Sequence, residues 1–205
     1  MKKVIAALSI LFLGCTKENK ESERRDDFIS QIRGEAYMGT ATSKLYVNGH
    51  DPLPSLVGKA TLSADKIKGD SLTLAILAEF PEDDGFTLGI PGKQDQTSWS
   101  ATIPNGKFSI GGNGTMTGSF SDSKKEFSWD GNLGNGYAIF DVRIKYLVKD
   151  GNIPASSILV THLDLSRFAD QSSTNPAGCK LDWQMRSVFN IYSGGTDLMR
   201  VPVCL

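Results

Sequence analysis

Two histidines are all that the 205-residue chain has for proton transfer near neutral pH. His162 lies in "ILVTHLDLS" with Asp164 two residues on. On a β-strand those positions share a face, so imidazole and carboxylate would form a His-Asp couple able to orient a general base. Acid-base or nucleophilic catalysis needs groups converging from several elements, and no motif ties a serine or cysteine to this couple. His50, in the turn-like "NGHDPLP", reads as an exposed imidazole. The carboxylates of "PEDDG", Glu82 to Gly85, lack the spacing of a calcium loop, and there is no HExxH or CxxC. "IPGKQD" and "PNGKFS" carry neither the glycine spacing nor the Ser/Thr of a phosphate-binding loop. The expectation is therefore a protein that is not an enzyme and holds neither metal nor cofactor. Trp129 and Trp183 fall in apolar rows and read as core, while Trp99, in polar "QTSWSAT", is the candidate ligand-binding residue.

The elements that would position these residues are strands. In "YAIFDVRIKYLV", Ala138, Phe140, Val142, Ile144, Tyr146 and Val148 alternate with Asp141, Arg143 and Lys145. That period of two predicts one buried and one wet face, as in an antiparallel sheet. "LDWQMRSVFNI" sets Leu181, Trp183, Met185, Phe189 and Ile191 against Asp182, Gln184, Arg186 and Asn190. "SLTLAILAEF" offers Leu72, Leu74, Ile76, Ala78 and Phe80 on one side. Shorter strands are predicted over 36–47, 56–64, 86–90, 98–103, 115–120, 126–129 and 157–165. "VNGH", "IPNGKF", "GGNG", "DGNLGNG" and "SGGTD" supply the Asn and Gly that tight turns demand. One short helical turn or two are predicted in "DDFISQIRG", before the first strand. Ten to twelve closely spaced strands predict an all-β domain over 34–205, an antiparallel barrel or a sandwich, with a sub-boundary near 149–157.

Before this domain the composition changes abruptly. Lys2 and Lys3 precede an apolar run from Val4 to Leu13, broken only by Ser9. The run is too short to span a bilayer and has the flanks of a signal peptide over 1–14. It ends in "FLGC", which resembles the lipobox of bacterial lipoproteins, with Phe12 where that family usually has leucine. The resemblance implies a lipid thioether on Cys15 and cleavage before it, with two or more acyl chains giving stable attachment to the membrane. "TKENKESERRDD", Thr16 to Asp27, has no apolar residue and is predicted to be a flexible tether within 15–33. About sixteen such residues would hold the domain roughly 20–24 Å off the bilayer. "KEN" partly resembles the lysine-plus-acids signal that sends some Bacteroidetes lipoproteins to the cell surface, Asn19 replacing one acid. The localisation implied is the outer membrane, at its periplasmic face or on the cell surface.

Removing residues 1–14 of 205 leaves 191, enough to bury a real core. Losing Lys2 and Lys3 takes the net charge from −1 to −3, and with no basic stripe nucleic acid is not an expected partner. With Cys15 given to lipid, Cys179 and Cys204 remain as a candidate disulfide in an oxidising compartment. If "SGGTD" turns a hairpin, Cys204 falls opposite about Arg186, and Cys179 is then ~20 Å up the strand.

The segments "GEAYMGTATSKLYVNG", "GKATLSADKIKGDSLTLAIL", "FSIGGNGTMTGSF" and "GYAIFDVRIKYLV" resemble the calycin-like, lipocalin-like lipoproteins of Bacteroidetes. Shared are an opening Gly-x-x-Tyr-x-Gly strand, a Gly-Lys strand and a late alternating apolar strand. The resemblance covers 34–149, implies an antiparallel barrel, and carries no functional residues across. Two functions stay open: a lipid-anchored binding module for a small apolar or glycan ligand, or an accessory subunit docking on an envelope protein. An open barrel cavity argues for the first; a filled interior with an exposed apolar patch argues for the second.

Overall fold

The computed structural model describes residues 36–47, 50–81, 83–95, 97–134, 136–168, 181–190 and 195–204. Ten strands follow one another around a ring: β1 (Ala36–Tyr46), β2 (Leu56–Lys68), β3 (Ser71–Phe80), β4 (Asp83–Gln94), β5 (Trp99–Ile103), β6 (Gly106–Ile110), β7 (Thr115–Ser121), β8 (Lys125–Gly134), β9 (Tyr137–Tyr146) and β10 (Ile158–Arg167). Each pairs antiparallel with the next, and β10 pairs back onto β1 from Tyr37–Arg167 to Tyr46–Ile158. The domain is therefore all-β and closes as an antiparallel up-and-down barrel; the ring rules out the sandwich. No helix occurs among the described residues. The predicted turn in "DDFISQIRG" lies outside them.

Local chemistry sets the corners. Ile103 pairs with Gly106, so Pro104 and Asn105 alone make the β5–β6 turn, with Asn105 at φ 60°. Proline followed by a left-handed asparagine is the requirement of a type II turn. The strand "GKFSI" after it was not predicted, because only Phe108 and Ile110 mark its inner face. The segment 149–157 carries the chain from β9 into β10, which belongs to the same sheet.

The inner faces are the alternating rows of the sequence. Leu72, Leu74, Ile76 and Ala78 of β3 and Ala138, Phe140 and Val142 of β9 are buried in one core with Leu62, Ile90 and Leu163. Aromatic rings meet across it: Trp129 lies edge-on to Phe108 at 5.2 Å and to Phe140 at 6.3 Å, and Trp99 is 6.0 Å from Trp129. At the closing seam the buried hydroxyls of Ser43 and Thr161 are 2.9 Å apart. Val148, predicted to continue the β9 inner row, lies beyond the strand and is exposed.

The ring is weakest between β4 and β5, joined only through Lys93–Ser100 and Gln94–Trp99. Upstream, the same edge of β4 is taken by β11 (Leu181–Asn190), parallel at Phe189–Leu88 and Asn190–Gly89. β11 forms a hairpin with β12 (Gly195–Cys204), which folds over the outer wall. An unpaired strand edge is thereby covered.

Candidate functional site

β3 explains why the hairpin lies where it does. Its outward residues Ala75 and Leu77 are as buried as its inward ones, packed against Val188 and Val201 with Met199 alongside. Farther round, Ala36 and Met38 of β1 pack with Phe168 and Trp183. The hairpin thus sits with Val188 and Val201 against the wall, and its outer side carries Met185 (61% exposed), Phe189 (41%) and Leu198 (71%). From Met185 onward this inverts the predicted faces of β11, while Trp183 of the row expected to be buried does pack against the wall. The row expected to be buried includes two exposed residues, while Arg186 of the row expected to be wet reaches Glu79, Nη1 to Oε1 3.7 Å. The reason lies in the wall, which mixes apolar Ala75 and Leu77 with Thr61, Thr73 and Glu79 and so accepts a mixed face.

Between the end of β12 and the outer wall of β1–β3 an apolar cleft of about 270 Å³ opens. Met38, Leu77, Pro202 and Val203 wall it, and Gly39, Gly58 and Ala60 contribute to its floor. A Cβ at Gly58 would sit 2.0 Å from the Glu79 carbonyl oxygen and 2.7 Å from the Phe80 ring, so β2 passes β3 there only as glycine. Thr61 is 5% exposed and lines the cleft. Its Oγ1 has no hydrogen-bond partner among the described residues. A buried hydroxyl left so costs about 1–3 kcal/mol. Lys59, on the same outer face two residues earlier, stands exposed at the rim beside Glu79.

The barrel interior, by contrast, is occupied by its own rings. Trp99, the candidate ligand-binding residue, is fully buried there; its Nε1 donates to the Leu72 carbonyl at 2.9 Å. A Cβ at Gly92 would lie 2.5 Å from the Trp99 ring, so the indole depends on that glycine. Trp129 Nε1 is also buried, without a partner among the described residues.

His162 is placed on the outer wall, half-exposed, with Nδ1 2.8 Å from Asp141 Oδ1. The expected His162–Asp164 couple does not form; Asp141 is instead the register partner across β9–β10. Cross-strand neighbours stand ~5 Å apart, closer than i and i+2 on one strand. Arg143 Nη2 is 3.4 Å from the other Asp141 oxygen. No serine or cysteine is bonded to His162 among the described residues. His50 is exposed in its turn, its backbone N–H donating to Val47 O at 3.0 Å. Cys15 and Cys179 lie outside the described residues, as does Glu82 of "PEDDG". Cys204 ends β12, and no group of three or more metal-ligating side chains exists among the described residues.

Sequence reasoning missed the cleft. The signal was present in "SLTLAILAEF", where Ala75 and Leu77 make the run apolar on both faces. A near-continuous apolar strand demands cover on both sides, so something had to lie outside β3.

The sequence matches no family model and no curated protein. Among solved structures the chain is similar to the S-type phycobiliprotein lyase CPES from Guillardia theta, with 8% identity and a TM-score of 0.47. The match covers 71% of this chain and 93% of that one. That structure is titled a lyase, and the expectation that the protein is not an enzyme is withdrawn. A fold does not decide between binding and catalysis, and a likeness at this level assigns neither ligand nor reaction to this chain.

Proposed function

We propose that the protein is an exported lipoprotein, held to the outer membrane through Cys15, whose barrel binds a small apolar ligand on its outer wall. The observation that carries this reading is the apolar cleft under β12 with the unpartnered Thr61 hydroxyl inside it. Binding sites are concave and mostly apolar, with a few polar groups to fix orientation. An apolar ligand is favoured over a glycan because Trp99 has no exposed face for a sugar to stack on. At ~30 Å³ per heavy atom the cleft takes about nine atoms, a small molecule or part of a longer one.

The experiment is extraction of the protein from its native host, followed by mass spectrometry of the extract. A stoichiometric apolar compound, lost from a Thr61→Phe variant that retains its β circular dichroism, supports the reading. An empty protein that takes up no apolar probe defeats it. Cys15→Ser should abolish fatty-acid labelling and release the protein from membranes; a variant that still labels and sediments overturns the anchor.

A second reading, an accessory subunit docking on an envelope protein, is favoured by the exposed row of Met185, Phe189 and Leu198 on the hairpin. Such patches often mark interaction sites. Cross-linking that captures one envelope partner, lost on Leu198→Lys with the cleft intact, would move the assignment there.

A further inference from the structure

Two features of the cleft are not explained by an apolar ligand alone. The Thr61 hydroxyl is buried among apolar groups without a partner among the described residues. Two residues away on the same face of β2, Lys59 stands at the rim without an ion-pair partner among those residues. Glu79, directly opposite Lys59 in the β2–β3 register, has its carboxylate 3.7 Å from Arg186. Of the two charged residues that line the cleft, Glu79 is thus paired outside it, and Lys59 is left as the uncompensated positive charge at the rim. Thr61 and Lys59 are about 7 Å apart along the backbone, a gap that the lysine stem spans while keeping its ammonium in water.

We infer that the cleft takes an anionic single-chain amphiphile, its alkyl chain against Met38, Leu77, Pro202 and Val203 and its acid group between the Thr61 hydroxyl and the Lys59 ammonium. The Thr61 O–H donates to one oxygen of the acid, and Lys59 donates to it from the rim. A chain of about eight carbons fills the cleft's 270 Å³ at ~30 Å³ per heavy atom. Because the cleft is open at its mouth, a larger acidic headgroup fits the same chemistry. This inference rests on the proposed apolar binding site and adds the headgroup.

The test is titration calorimetry of the purified protein with three probes of one chain length: octanoate, octanol and octyltrimethylammonium. Octanoate should bind one to one and more tightly than the other two. Lys59→Met, which keeps the stem and removes the charge, should weaken octanoate about tenfold and leave octanol unchanged. Thr61→Val, which keeps the shape, should also weaken octanoate. Equal binding of octanoate and octanol, indifferent to Lys59→Met, overturns the headgroup while leaving an apolar site. Thr61→Val that raises the melting temperature without touching octanoate binding shows a merely structural hydroxyl and overturns its role. If none of the three probes binds, the apolar site itself falls.

Discussion

Cys204 is paired with Leu181 at the end of the β11–β12 ladder. The hairpin closes at Asn190–Gly195, through residues 191–194, not around "SGGTD". That difference moves the partner of Cys204 five positions, from about Arg186 to Leu181. Cys179 lies outside the described residues and precedes Leu181 by two positions in the sequence, so this register does not impose the ~20 Å separation that told against a bridge. A Cys179–Cys204 disulfide is predicted, worth ~3.5 kcal/mol for a loop of about 25 residues in the chain-entropy model. Intact mass before and after reduction checks it: two free thiols in the unreduced protein would refute the bridge.

The inverted hairpin gives a contrast between neighbouring positions. Val188→Ala should cost about 2 kcal/mol, because its methyls are buried against Ala75 and Leu77. Met185→Ser, three residues away on the exposed side, should change stability by less than about 0.5 kcal/mol. Urea unfolding measures both. The opposite ranking would mean that the faces are as the bare alternation of β11 suggested.

The two core indoles should respond unequally to truncation. Trp99→Phe loses volume and also the bond from Nε1 to Leu72 O, leaving that carbonyl short of a donor. Trp129→Phe loses similar volume but removes an N–H that has no partner among the described residues. Trp99→Phe is expected to be the more destabilising by about 1 kcal/mol. Equal losses in thermal unfolding would contradict the assignment of the Leu72 bond.

Asp150 has a small effect on acid stability. Its hydrogen bond to Lys125, and then that lysine's charge, hold its carboxyl below the ordinary carboxylate value. The two groups are 2.7 Å apart, and the ammonium also lies 4.8 Å from the Tyr146 ring centroid. A lowered folded-state value means the stabilisation is present above the unfolded-state value and is lost as pH falls through the folded one. Both side chains are exposed, so Asp150→Asn should cost less than about 1 kcal/mol at pH 7. The cost should vanish in strong acid and shrink in 1 M salt. Paired melting curves across pH measure it, and a variant deficit that persists in strong acid would exclude the ion pair as its source.

Much of the barrel was legible in the chain itself. A period of two in β3 and β9 determines which side chains point inward, whatever the partner strands are, because the pleat alternates faces. Asn and Gly at the corners likewise announce turns through their tolerance of positive φ. Ring closure was not legible: Tyr37 meets Arg167 across 130 residues, and strand order depends on long-range pairing that no local pattern encodes.

The candidate site belongs to that second category. An alternating strand such as β11 states that its two faces differ, not which of them meets a neighbour. Its orientation was decided by the outer wall of β3, where Leu77 needed cover and Glu79 offered a partner to Arg186. By itself the sequence determined the alternating faces and the turns. The tertiary structure decided that β10 returns to β1, that aromatic rings occupy the lumen and that Thr61 faces an apolar cleft instead of water. Those outcomes depend on the register and packing of distant segments, since a side chain's environment is made by strands that no local pattern names.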